Sequence, residues 1–333
     1  MIMLSVIIPT RNRVDLLRLA LQSLKSQSLS ADFFEVLVID NGSTDTTKQI
    51  VSSFQRQSEN IRYFFNPAPG LHVGRHLGMK MAMADILVYA DDDIEAFPTW
   101  LEGIAESFQD REVALVGGKN LPKFESSPPD WVLKMWEKDN NGYRILGYLS
   151  IIDLGEEKKT TSSYHVFGCN FSIRKSVLLS AGGFHPDSMP QELIQYRGDG
   201  ETHVSKFIES MKYKTMYNPN ASVFHVVPQN RLTESYFCKR AYLQGISDSY
   251  TQIRNDDNMK ASIQEYITRH LRLWRKKRRL YFNHRKRHIE YEYYNGYRYH
   301  YNSAKNDKTL YEWIIQPNYM NEPYTKSICS VND

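Results

Sequence analysis

Cysteine is scarce: Cys169, Cys238 and Cys329 are the three in 333 residues, far apart and with no CxxC spacing. That excludes a disulfide-stapled domain, gives no zinc-ligand pattern and fits a reducing cytoplasm. Long apolar runs are also missing, and none approaches the roughly 20 residues that cross a bilayer. The apolar start, Met1 to Ile8, lacks a basic leader and a small-residue cleavage site and stops at Pro9. It reads as a buried strand rather than a signal peptide. No GxGxxG follows that strand and no GxxxxGK(S/T) occurs, which excludes the dinucleotide-dehydrogenase and P-loop cradles. There is no internal repeat. Neither sign of charge dominates, with a net charge of +4. The expectation is a soluble or membrane-peripheral protein with no nucleic-acid partner.

What is present is a mixed pattern in the first 120 residues. Apolar strand-like runs, Leu4 to Ile8, Phe34 to Ile39, Ile61 to Phe65, Ile86 to Ala90 and Val113 to Val116, alternate with segments of helical spacing. The helical segments are Val14 to Leu29, Asp45 to Gln55 and Val73 to Ala84. Such alternation predicts an α/β fold, a Rossmann-like, mostly parallel sheet with flanking helices. Beyond residue 120 the pattern loosens. Tyr164 to Ile173 and Ala221 to Val227 read as strands, Gln191 to Gly200 as a loop, and Thr202 to Met211 as a helix. Tyr236 to Gln252 and Ile263 to Tyr301 read as helices.

Ligands in sheets of this kind bind at the carboxyl ends of the strands. Thr10, Asp40 and the triplet Asp91-Asp92-Asp93 all fall there. Strand alternation would point Asp91 and Asp93 together and Asp92 away. Clustered carboxylates suit a hard cation such as Mg2+ or Mn2+ shared with phosphates. An acidic turn or helix cap is the alternative.

The segments LSVIIPTRNR, VLVIDNGSTD, PGLHVGRHLGMKMAMADILVYADDD and VFGCNFSIRKSVLLSAGGF, taken in order, resemble glycosyltransferase family 2. The resemblance covers roughly residues 3–230. It implies a GT-A fold and transfer of a sugar, with inversion, from a nucleotide donor, UDP-linked in the usual case. It implies that Pro9, Thr10 and Arg11 open the nucleotide pocket and that Asp40 meets the base. Arg75 matches the arginine of an ARN motif near the nucleotide, with His76 in place of the usual Asn. Asp91 and Asp93 match the outer positions of a DxD motif, Asp91 for ribose and Asp93 for the metal, with Asp92 a solvated neighbour at the nucleotide pocket. His225 matches a second metal ligand. Gly168 and Asn170 match a strand facing the donor sugar, and Gly118 stands near the same sugar. The catalytic base aligns with Glu201, with Asp199 as the alternate or as an acceptor-binding group. A helix cap made of these two is the structural alternative.

The implied domain is residues 1–230, divided into a nucleotide-binding half, 1–120, and an acceptor-binding half, 121–230. Residues 231–333 form a mainly helical, basic and Tyr-rich extension. Between Arg269 and His288 there are ten Lys/Arg and no Asp or Glu. A basic stretch with interleaved Leu and Trp can lie on anionic lipid at the inner face of a membrane, or be a solvated helix face. The expected acceptor is a glycan or lipid-linked glycan of a surface polysaccharide, lipopolysaccharide or capsule, and oligomers are allowed. The rivals are a sugar-phosphate nucleotidyltransferase and a catalytically silent binding module. The first needs a glycine-rich, Lys-containing loop where this chain has Pro9-Thr10-Arg11-Asn12-Arg13, and the acidic motifs argue against the second.

Overall fold

The computed structural model describes residues 2–255 and 284–320. Two compact units divide the chain: one comprises Met1–Ser188, Gly200–Gln229 and Asn318–Asp333, the other Met189–Asp199 and Asn230–Pro317.

Among its described residues the first unit carries thirteen strands. They are β1 (Leu4–Thr10), β2 (Phe34–Asp40), β3 (Ile61–Phe65), β4 (Ile86–Ala90), β5 (Ile94–Ala96), β6 (Val113–Gly117) and β7 (Asn120–Phe124). There follow β8 (Arg144–Leu146), β9 (Ile151–Asp153), β10 (Lys159–Thr160), β11 (Asn170–Arg174), β12 (Lys214–Tyr217) and β13 (Val223–Val227). Its helices are α1 (Val14–Lys25), α2 (Thr47–Gln55), α3 (Leu71–Met81), α4 (Trp100–Ser107), α5 (Asp130–Met135), α6 (Lys175–Ser180) and α7 (Thr202–Ser210).

An eight-stranded sheet has the order β10-β12-β6-β11-β4-β1-β2-β3. Its β4-β1-β2-β3 half is parallel. β11 runs antiparallel between β4 and β6, so the other half is mixed. The central strands are continuous apolar runs because both their faces are covered. Val6 and Ile8 of β1, with Val36 and Val38 of β2, share one core with Leu17 and Leu21 of α1 and Trp100 of α4. The intervening Ile7, Leu37 and Ile39 share the opposite core with Met79 of α3, Leu178 of α6 and Val204 of α7. In α1, Leu17, Ala20, Leu21 and Leu24 form the buried stripe that its spacing predicts.

A second sheet has the order β5-β13-β7-β9-β8. The chain leaves the large sheet at the end of β4, turns through Asp91–Asp93 and enters the small sheet as β5, antiparallel to β13. Apart from β13 this sheet has no counterpart in the sequence reading: β5, β8 and β9 have three residues each, too few to alternate, and β7 carries Pro122. The expected strand from Tyr164 begins later. A 3-10 turn, Ser163–His165, comes first, with the Ser162 hydroxyl accepting from the Tyr164 N–H, and the strand itself is β11.

Among its described residues the second unit is helical: α8 (Glu234–Asn255), α9 (His284–Asn306) and α10 (Lys308–Ile314), with a 3-10 segment at Gln191–Tyr196 where a loop was expected. A Cβ on Gly245 would overlap the Tyr293 carbonyl, and one on Gly296 the Tyr242 carbonyl, so glycine is what lets α8 and α9 touch backbone to backbone. Two tyrosines of α9 serve this packing. Tyr293 Oη donates to Asp248 Oδ2 at 2.6 Å and Tyr297 Oη to Gln252 Oε1 at 2.7 Å. Of the basic stretch 269–288, residues 269–283 lie outside the described residues, and the expected membrane contact lies there too. Among the described residues no helix is long and apolar enough to cross a membrane.

Candidate active site

β1 and β2 end level, with Thr10 opposite Asp40, and β4 flanks β1 on its other side. The aspartates that follow β4 occupy the turn between the two sheets rather than a strand. Period-two alternation therefore does not govern them, and their division differs from the expected one. Asp92 and Asp93 are buried, each 2% exposed, while the Asp91 side chain keeps 32% of its surface in solvent. Arg13, just before α1, reaches Asp92 Oδ1 with Nη1 and Asp93 Oδ2 with Nη2, both at 2.6 Å. Thr10 Oγ1 donates to Asp92 Oδ2 at 2.7 Å. Asp92 is thus a buried anchor that ties β1 and Arg13 to the triplet, not a solvated neighbour of the ligand. Burial pushes its carboxyl up to about 7, with Arg13 pulling the other way and Asp93 adding to the rise. Burial works against the charge on Arg13 as well, but Asp92 and Asp93 outweigh it and hold the guanidinium firmly protonated.

Asp93 Oδ1 also lies 3.2 Å from His225 Nε2, on β13. His225 pairs in register with Ile94, the residue after the triplet, so the small sheet delivers the imidazole to the carboxylate. Octahedral ligands about 2.1 Å from a cation sit roughly 3 Å from one another. An oxygen and a nitrogen 3.2 Å apart match one edge of that figure. Asp93 and His225 are the residues that would hold a divalent cation.

Arg75, on α3, is buried. Its Nη2 lies 3.6 Å from Asp91 Oδ1 and donates to the Gly168 carbonyl at 3.2 Å, and its Nη1 donates to Glu201 Oε2 at 3.3 Å. The guanidinium lies over the Phe184 ring, 5.1 Å from its centroid. Burial opposes its charge, yet the carboxylates of Glu201, Asp91 and Asp187 outweigh that and keep it charged. Arg75 therefore meets protein groups on all these sides, and the structure makes it a bridge between two carboxylates where a nucleotide contact was expected. Burial also lifts the Asp91 carboxyl above its ordinary range, against the pull of Arg75.

Glu201 is the residue before α7, yet its side chain makes no capping bond to that helix. Its Oε1 accepts the Gly168 N–H at 3.2 Å, and 28% of the side chain is exposed. Asp199 belongs to the second unit, where its Oδ2 accepts from Thr251 Oγ1 at 2.7 Å. Gly168 is required by this arrangement. A Cβ there would stand 2.5 Å from Arg75 Nη2 and 2.9 Å from Glu201 Oε1.

Other residues expected at the site also bond or pack within the protein. Asn170 is buried: Trp100 Nε1 donates to its Oδ1 at 2.9 Å, and its Nδ2 donates to Asn120 Oδ1 at 3.1 Å and the Ala221 carbonyl at 2.9 Å. That network takes both amide protons and one of the two Oδ1 lone pairs. Gly118 is glycine because a Cβ would overlap the Ala221 carbonyl. Asp40 is buried, with Oδ1 accepting from the Ser43 N–H and Oδ2 from Tyr63 Oη, both at 2.7 Å. Burial and the Asp40 carboxylate hold the Tyr63 phenol above its ordinary range, so it stays a donor. Pro9 is buried within β1, and Arg11 stands exposed just after it. His76 is also a pin. Its Nε2 accepts the Phe184 N–H at 2.8 Å, which puts the proton on Nδ1, 3.2 Å from the Tyr319 carbonyl.

Arg13, Tyr63 and Trp100 were not singled out by sequence. Charge balance could have pointed to Arg13, since two buried carboxylates require a nearby cation. The other two carried no signal.

The mixed α/β sheet, with carboxylates gathered where β2 and β4 end, has the architecture of the GT-A glycosyltransferases. The family model described as glycosyl transferase family 2 matches residues 5–180, and the chain belongs to that family. Glycosyltransferase AglE of Haloferax volcanii is 33% identical over 115 residues, 34% of this chain and 38% of that one. The GalNAc(5)-diNAcBac-PP-undecaprenol beta-1,3-glucosyltransferase of Campylobacter jejuni is 29% identical over 139 residues, 41% of this chain and 44% of that one. The chain thus matches less than half the length of either relative. Mannosyltransferase PcManGT from Pyrobaculum calidifontis, solved in complex with GDP-Man and Mn2+, superposes with a TM-score of 0.50 at 17% identity, over 77% of this chain and 65% of that one. That likeness shows the fold.

Proposed function

We propose that the chain is an inverting, metal-dependent transferase that moves a sugar from a nucleotide donor, UDP-linked, to a glycan or lipid-linked acceptor of a cell-surface polysaccharide. The observation that carries this reading is Arg75, which holds Asp91 with one nitrogen and Glu201 with another. A strand-end carboxylate on the donor side and a carboxylate suited to the acceptor are thereby set on one buried guanidinium. The lipid-linked acceptor is supported by the acceptor in the name of the Campylobacter relative. A nucleotide donor with a cation is supported by the ligands of the Pyrobaculum enzyme.

The reaction is a single displacement. The acceptor oxygen attacks the anomeric carbon as Glu201 takes the acceptor proton, and the bond to the nucleoside diphosphate breaks on the opposite face. Gly168 N–H and Arg75 fix the carboxylate, leaving its exposed edge for the acceptor. A divalent cation bound by Asp93 and His225 would neutralise the diphosphate and improve it as a leaving group.

Glu201→Gln should bind UDP as the parent does and lose transfer by a factor of about 10² or more. Full transfer by this variant would remove Glu201 as the base. Asp93→Ala should lose the Mn2+-dependent part of UDP binding measured by calorimetry, and unchanged affinity with Mn2+ present would remove Asp93 as a ligand.

A further inference from the structure

The second unit holds a cluster that the proposed transfer reaction does not use. Glu234 and Cys238 stand one helical turn apart on α8, and His288 and Glu292 have the same spacing on α9. All four line one cavity of about 670 Å³. Glu234 Oε1 lies 2.8 Å from His288 Nδ1, and the donor atoms of Glu234, Cys238 and His288 all lie within 4.8 Å of one another. Oxygen, sulfur and nitrogen from three residue types thus converge where two helices meet.

An ion-pair network accounts for part of this. Arg285 Nε donates to Glu234 Oε2 at 3.1 Å, and a protonated His288 could add to it. It does not account for the thiol. A buried cysteine kept for packing sits among carbon atoms. Cys238 is buried beside the carboxylates of Glu234 and Glu292, which, after burial itself, push its thiol up. A cation would reverse that penalty and take the thiolate as a ligand, releasing the thiol proton. Zinc bound tetrahedrally at about 2.0–2.3 Å places neighbouring ligands roughly 3.3–3.6 Å apart. Side-chain adjustments of about 1 Å bring the three donors to that spacing.

We propose that Glu234, Cys238 and His288 form a site for a borderline-soft divalent cation, best matched by Zn2+, with a fourth position open to the cavity for water or Glu292. The cation would fasten the N-terminal part of α8 to that of α9. It is separate from the Asp93–His225 pair, which has no sulfur.

The test uses all 333 residues of the chain, stripped with a chelator and titrated with Co2+ as a spectroscopic stand-in for zinc. The parent should develop a thiolate-to-cobalt charge-transfer absorption that one equivalent of Zn2+ removes. Cys238→Ser should abolish it. His288→Gln, at a side chain 55% exposed, should keep the fold and weaken Co2+ binding about tenfold or more. Asp93→Ala should leave the absorption unchanged. No such absorption in the folded parent, or its persistence in Cys238→Ser, overturns the proposal and leaves the cluster an ion-pair network.

Discussion

Histidine 76 makes the first unit acid-sensitive by an amount that can be worked out. Its ring is enclosed, 3% exposed, and burial pushes its pKa down from 6.5 to about 4. Its Nε2 must stay unprotonated to accept the Phe184 N–H. Above pH 6.5 neither the folded nor the unfolded chain protonates this residue, and its contribution is complete. Between pH 6.5 and 4 the unfolded chain takes a proton that the folded chain refuses, so stability falls as pH falls. Below about 4 both forms are protonated and the loss is complete. A shift of about 2.5 units at 1.36 kcal/mol each is roughly 3 kcal/mol. In His76→Gln the amide oxygen can accept the same N–H and cannot titrate. Urea unfolding of the parent and of His76→Gln, followed by tryptophan fluorescence from pH 7.5 to 4, should give curves that converge by about 3 kcal/mol on acidification. After burial itself, charge on His76 also helps to depress the pKa of His72, so the comparison made in a His72→Gln background isolates the His76 step. Curves that stay parallel would refute the reasoning. Arg75 is the next residue along α3, so the same acid step should loosen the guanidinium that holds Glu201.

Two further outcomes separate site from scaffold. Gly168→Ala should lower transfer at least about tenfold at a stability cost of about 1–3 kcal/mol, because the added methyl displaces Arg75 and Glu201. Steady-state kinetics beside thermal unfolding would check it, and unaltered turnover would contradict the close contact. Asn170→Ala should cost about 2–4 kcal/mol by leaving the Trp100 N–H and two oxygens buried without partners. Its folded fraction should keep the parent's donor preference, whereas a changed donor preference with stability intact would make Asn170 a sugar contact.

The strand ends were legible because β1, β2 and β4 are short apolar runs stopped by polar residues, and parallel neighbours end level. Local pattern identified the triplet but not its orientation. It lies in a turn between two sheets, and three strands of the second sheet are only three residues long, too short to leave a periodic mark. Glu201 could be aligned, but its partner Arg75 is 126 residues away and no spacing rule connects them. Asn170 looked like a polar contact because a strand-borne amide reads the same whether a sugar or Trp100 meets it. The same limit hid Glu234, Cys238 and His288, whose linear separation matches no metal motif.

The sequence by itself determined the class of the protein: which runs are buried, where carboxylates leave the sheet, and which ordered motifs place it in its family. Those properties depend on hydrophobicity and local geometry, which a linear pattern carries. Tertiary structure decided what each carboxylate does. Arg13 takes Asp92 and Asp93, Arg75 takes Asp91 and Glu201, and His225 stands at Asp93. A charge acquires its role from the counter-charge and solvent around it, and here the partners come from segments that only folding brings together.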